Sequence, residues 1–116
     1  MINIIAVFLG GGIGSILRYI AGLCLPFPTL IVNVVGSILL GFLFAFFIQR
    51  PEMSHGLKLA LTVGFCGGFT TFSTFSFQIF EMIEVGHWLN GLLYAIVSLF
   101  FGVVSVFIGA YFAKFV

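Results

Sequence analysis

The chain has 116 residues, of which 62% are hydrophobic and only 6% are charged, with a formal net charge of +1. Soluble domains carry about 25% charged residues, so this composition excludes a soluble domain and predicts an integral membrane protein. The near-neutral charge supplies no basic surface for nucleic acid, and the length suits a single unit over residues 1–116.

Four apolar segments are each long enough to cross a bilayer, which takes about 20 residues. They run from Ile2 to Leu25, from Thr29 to Ile48, from Leu57 to about Val85 and from Trp88 to about Phe115. Because the loops are short, neighbouring helices are expected to be antiparallel, with both termini on one side. Three of the four cationic side chains lie on that side, which favours termini in the cytoplasm.

The first two spans carry polar residues that need partners in hydrocarbon. Arg18 lies about one turn from the end of its helix, so it either snorkels to the interface or attracts anions at a vestibule. Thr29, Asn33 and Ser37 are spaced four apart and share one helix face. The amide of Asn33 is expected either to make an interhelical hydrogen bond or to serve a function.

The third span contains a run that does not suit a membrane helix, from Gly64 to Ser76. Two adjacent glycines and two adjacent threonines weaken a helix, so a break is predicted near Gly67–Thr71. Broken backbone at membrane depth persists only where protein buries it or where it lines a polar cavity. The segment therefore predicts an ion site, and the positive ring edges of Phe72 and Phe75 just beyond it suit an anion.

The fourth span carries a polar stripe that begins at Tyr94 and continues through Ser98 and Ser105. Serine often donates to the carbonyls of its own helix, so the stripe fits either a polar pathway or ordinary packing.

An enzyme is not expected, because no Ser/His/Asp set or carboxylate pair lies at membrane depth. His55 and His87 fall in loops on opposite sides. The competing function classes are a non-conducting membrane scaffold and a small proton-coupled multidrug exporter. An exporter needs an embedded acidic residue, for which Glu81 is the nearest candidate.

Three motifs occur in order along the chain: Gly11-Gly12-Ile13-Gly14 through Arg18-Tyr19, Thr29-Leu30-Ile31-Val32-Asn33 with Gly36-Ser37, and Gly64 through Ser76. In these motifs, and over its whole length, the sequence resembles the Fluc/CrcB family of fluoride channels. The resemblance implies an all-α, four-helix channel subunit that forms an antiparallel dimer in the cell inner (plasma) membrane. It also implies passive export of fluoride, which keeps cytoplasmic fluoride low.

The same resemblance implies roles for individual residues. A structural sodium ion that is not transported is expected on the backbone carbonyls of Gly67 and Thr70 from each subunit. Arg18 corresponds to the vestibule arginine. The fluoride pathway is expected to include two phenylalanines, an amide and several hydroxyl donors: Phe72, Phe75, Asn33, Thr74, Tyr94, Ser98 and Ser105.

The chain departs from the family pattern in three places, one of which is the fourth helix, where Ser98 and Ser105 align only loosely with the family's serines. Gln78 stands where the family usually has Glu, and Phe27-Pro28-Thr29 replaces Pro-Gly-Thr before the second helix. Some members of the family function as paralogous pairs of opposite orientation. The partner is therefore expected to be a second copy of this chain or, alternatively, a paralogous subunit.

Overall fold

The computed structural model describes every residue from Met1 to Val116 and is all-helical. The long helices are α1 (Ile2–Cys24), α2 (Pro28–Ile48) and α6 (Trp88–Phe112), the last continued by a 3₁₀ turn over Ala113–Phe115. The third span is composite. It comprises α3 (His55–Leu59), a π-helical segment (Ala60–Cys66), α4 (Gly67–Phe69) and α5 (Phe72–Glu84).

The prediction of four membrane-spanning helices is confirmed. The helices long and apolar enough to cross a bilayer are Ile2–Cys24, Pro28–Ile48, His55–Glu84 and Trp88–Phe115, and every predicted end lies within two residues of these. Ordinary helix signals set the ends. Pro28 occupies the first turn of α2, where its missing N–H costs nothing, and Ser54 caps α3 by accepting a hydrogen bond from the N–H of Leu57.

The break allows the two halves of the third span to pack on different helices. The first half, from α3 to α4, lies along α1, whereas α5 lies against α6. The remaining extensive contact joins α2 to α6. The unwound residues thus mark the point where the chain changes its packing partner.

Small residues allow the close contacts of these helix pairs, as their four-residue spacing predicted. A Cβ added at Gly14 would overlap the backbone carbonyl of Phe65, and one at Gly68 would overlap that of Gly11. In the other pair, a Cβ at Gly109 would overlap the carbonyl of Ile38. Backbone therefore lies directly against backbone at both interfaces.

Most of the surface of the single chain is apolar and uncovered. Only 15 of 116 residues are buried, and large hydrophobic side chains are exposed on all four spans. Such a surface requires lipid or another protein to cover it, so the subunit is a multi-pass membrane protein.

Replacing Gly14 with alanine is expected to lower the melting temperature in detergent, because its methyl group has no room against the carbonyl of Phe65. Overpacking of this kind costs about 1–3 kcal/mol. Gly12→Ala is the matched control, because a Cβ at Gly12 meets no atom within 4 Å and alanine favours a helix. Equal melting temperatures for the two variants would contradict the close packing of α1.

Candidate ion site at the break in the third span

The break consists of two extended residues. Thr70 has φ −91° and ψ 159°, and Thr71 has φ −150° and ψ 120°. Gly67 remains helical at φ −63° and ψ −38°. The predicted position of the break is confirmed, but the glycines do not unwind. The unwinding is confined to the two threonines, while Gly68 provides close packing against α1.

Hydrogen bonds from nearby residues pair some of the backbone groups that lose their helix partners at the break. Thr70 donates both its N–H and its hydroxyl to the carbonyl of Cys66, at 3.0 and 2.8 Å. The carbonyl of Gly68 accepts a hydrogen bond from Arg18 Nε at 3.1 Å and a longer one from Ser15 Oγ at 3.5 Å. Residues of α1 thus replace a helix hydrogen bond that α4 cannot make.

Asn33 of α2 forms two hydrogen bonds with the other side of the break. Its Oδ1 accepts the N–H of Thr71 at 2.8 Å, and its Nδ2 donates to the carbonyl of Thr71 at 3.1 Å. The amide therefore makes the interhelical bond that the sequence suggested as one alternative. An amide nitrogen has two hydrogens, so one further N–H of Asn33 remains at the groove described next.

The carbonyls of Gly67 and Thr70 receive no hydrogen bond in the structure. Gly67 is exposed, and a Cβ built there would meet no atom within 4 Å. Both residues line an open groove of about 530 Å³ between α2 and the third span, whose other lining residues are Asn33, Gly36, Ser37, Leu40, Thr62, Val63, Cys66, Thr71 and Phe72. We call this the break groove.

The two phenylalanines of α5 occupy different environments. Phe72, at the break groove, is 73% exposed, whereas Phe75 is 6% exposed. Their ring centroids are 5.7 Å apart with planes at 57°. Phe75 also meets Tyr94 of α6 at 5.3 Å, edge to face. An aromatic row of three rings therefore leads from the open groove into the subunit.

A chain of polar side chains crosses three helices beside this row. Tyr94 donates its hydroxyl to Gln78 Oε1 at 2.7 Å, and Gln78 Nε2 donates to Thr29 Oγ1 at 3.0 Å. Gln78 thus acts as donor on one side and acceptor on the other, which a carboxylate in its place could not do. The sequence marked this position as a departure from the family, but gave no sign that it joins α2 to α6.

Arg18 and Thr74 meet at a second cavity, at the end of α1. It has a volume of about 350 Å³, and Thr29, Thr71 and Gln78 also line it. Arg18 therefore lies at a polar cavity and also bonds the break.

The serines of α6 lie apart from these cavities. Ser105 is buried and donates to the carbonyl of Phe101 in its own helix. The hydroxyl of Ser98 is buried without a hydrogen-bond partner. Neither lines the break groove or the cavity at Arg18, so the structure of the subunit does not bring them together with Phe72 or Asn33.

The chemistry available at the break comes from backbone oxygens, hydroxyls, amides and aromatic edges. No three His, Cys, Asp or Glu side chains come together anywhere in the chain. Unpaired backbone carbonyls at an unwound membrane helix are typical of membrane proteins that bind or conduct ions. The fold and the site thus define an ion-handling membrane protein.

Comparison with known proteins identifies the family. The profile of the family described as "CrcB-like protein, Camphor Resistance (CrcB)" matches residues 5–110. The chain belongs to this family, as the motifs indicated.

Three relatives match along nearly their whole length, and each is named fluoride-specific ion channel FluC. The protein from Gloeothece citriformis is 38% identical, covering 98% of both chains. The protein from Bacteroides fragilis is 39% identical, covering 96% of this chain and 95% of its own. The protein from Methylobacterium sp. is 42% identical, covering 91% of both.

Replacing Gln78 with leucine is expected to destabilise the subunit, because the hydroxyls of Tyr94 and Thr29 would lose their common partner. Each hydroxyl left unpaired costs about 1–3 kcal/mol. Gln78→Glu should retain more stability, because both hydroxyls can donate to a carboxylate. The measurement is thermal unfolding in detergent. A Q78L protein that melts with the wild type would show that the polar chain does not stabilise the fold.

Proposed function

We propose that this chain is one subunit of a fluoride-specific channel in the plasma membrane, which allows passive export and so lowers cytoplasmic fluoride. The observation that carries the proposal is the juxtaposition, within one groove, of two unpaired carbonyls and the exposed ring of Phe72. Support also comes from the printed names of relatives that align over nearly the whole chain.

The donors and ring edges beside the break suit fluoride. A small anion holds its hydration shell tightly, so a selective path must replace that shell with closely placed donors. The remaining N–H of Asn33, the hydroxyl of Thr74 and the edges of Phe72 and Phe75 are such groups. In this proposal Ser98 and Ser105 join the pathway as the resemblance implies, although Ser105 donates to its own helix in the subunit.

The carbonyls of Gly67 and Thr70 fit a structural sodium ion. Hard cations prefer oxygen ligands, and these two oxygens share one groove and have no other partner. A bound sodium ion would neutralise the carbonyl dipoles at the centre of the assembly. The chain itself positions them: Arg18 bonds the carbonyl of Gly68, next to Gly67, and Asn33 bonds Thr71, next to Thr70.

An antiparallel homodimer would complete this site. Carbonyls left open at membrane depth are costly unless protein covers them, and a twofold copy would bring a second Gly67 and Thr70 to the same groove. The partner is a second copy of this chain, and a paralogous subunit is the alternative that reconstitution tests.

Liposomes that contain only this purified chain are expected to release fluoride and retain chloride. The reason is that the groups beside the break replace the hydration shell of a small anion only. A fluoride electrode and a chloride electrode measure the two effluxes. Chloride efflux equal to fluoride efflux would contradict selectivity. Efflux that requires both a proton gradient and Glu81 would indicate an exporter. If no ion moves, the protein is a scaffold. Fluoride efflux without a second protein would exclude the need for a paralogue.

Phe72→Ile is expected to reduce fluoride efflux by at least tenfold while the protein remains folded, because isoleucine has no electropositive ring edge. One lost edge contact of about 1.4 kcal/mol corresponds to that factor. Phe8→Ile is the matched control, since Phe8 is 76% exposed and Phe72 is 73% exposed. Elution volume on gel filtration verifies that both variants stay assembled. Normal efflux through F72I would remove Phe72 from the pathway.

A further inference from the structure

Gly68 lies within the stretch whose carbonyls are proposed to bind sodium, yet its own carbonyl is occupied. In a continuous helix this oxygen would accept the N–H of Phe72, but the extended Thr70 and Thr71 carry Phe72 away from it. Arg18 Nε bonds it instead, at 3.1 Å, from a position 50 residues earlier in the chain.

This contact fixes more than one atom. Each peptide unit is planar, so holding the carbonyl of Gly68 fixes the plane of that whole unit, and the adjacent units can turn relative to it only about φ and ψ. The Gly67 carbonyl belongs to the preceding peptide unit, and the Thr70 carbonyl follows two units later. Close packing of Gly68 against Gly11 holds the same peptide from the backbone side. The helix α1 thus contacts the break at Gly68 in three ways: the bond from Arg18, the packing of Gly11 and the longer bond from Ser15.

Arg18 bonds the break through Nε and not through a terminal nitrogen of its guanidinium group. A guanidinium group has five N–H donors, and the bond to Gly68 uses the one at Nε. The N–H groups of the two terminal nitrogens remain at the cavity that Arg18 lines with Thr74 and Gln78. The charge of Arg18 and its hydrogen bond to the break can therefore have separate functions.

We propose that Arg18 is a positioning residue for the cation site: its Nε–H, rather than its charge, orients the break so that the carbonyls of Gly67 and Thr70 open into the break groove. This inference rests on the proposed sodium site. The positive charge of Arg18 repels a nearby cation. Any favourable effect of Arg18 on sodium binding therefore has to come from its hydrogen bond to Gly68.

Three variants of Arg18 separate the donor from the charge. R18Q places an amide N–H at the same number of bonds from the backbone as Nε and removes the charge. R18K keeps the charge but has a methylene group at that position. R18M has a similar length and neither the donor nor the charge.

The test measures the melting temperature of the full-length protein against sodium concentration, with N-methylglucamine keeping the ionic strength constant. The reported quantity is the sodium concentration that gives half of the maximal stabilisation. R18Q is expected to match the wild type or to need less sodium. R18K and R18M are expected to need about tenfold more, the factor that corresponds to one lost hydrogen bond.

Other results would overturn the proposal. If R18K matches the wild type and R18Q matches R18M, the charge is the essential feature. If all three variants match the wild type, Arg18 does not position the site. If R18M fails to fold, the comparison of R18Q with R18K still decides between donor and charge. A wild-type protein whose melting does not depend on sodium would overturn both this inference and the sodium site, whereas fluoride efflux tests the channel function separately.

Discussion

The structure depends on one constraint: backbone polar groups at membrane depth must find partners inside the protein. An unbroken helix meets this constraint by itself, but the third span is unwound at Thr70 and Thr71. Around the break, the carbonyls of Cys66, Gly68 and Thr71 obtain partners from side chains. The carbonyls of Gly67, Phe69 and Thr70 obtain none. Of these residues, Gly67 and Thr70 line the break groove and identify the place where an ion is expected.

The partners come from helices that the break itself brings close. Because the first half of the third span lies along α1, Arg18 reaches Gly68, and because α2 passes the other side, Asn33 reaches Thr71. The second half then turns to α6, where Phe75 meets Tyr94. The π-helical segment at Ala60–Cys66 is separated from the break only by the short α4, and π-helical turns are frequently found at functional sites. Packing and site geometry are therefore consequences of the same unwound turn.

The arrangement places groups for a cation and groups for an anion side by side. Carbonyl oxygens carry partial negative charge and suit a cation, whereas amide hydrogens, hydroxyls and ring edges suit an anion. Both sets open onto a groove that the single subunit leaves uncovered, with Phe72 on its wall. In the proposed function, a partner subunit covers this groove and completes the site.

The sequence by itself determined the four spans, the place of the break and the family, and it marked Asn33 and Arg18 as polar side chains that need partners. Apolar length, glycine and threonine at unusual positions, and costly polar groups are local properties that a sequence displays directly. Only the tertiary structure decided that the glycines stay helical, that Gln78 joins Thr29 to Tyr94, and that Ser105 turns to its own helix. It also decided which carbonyls stay free. The free carbonyls depend on which side chains from distant parts of the chain reach the break, and hydrogen bonds across 38 to 50 residues leave no local pattern.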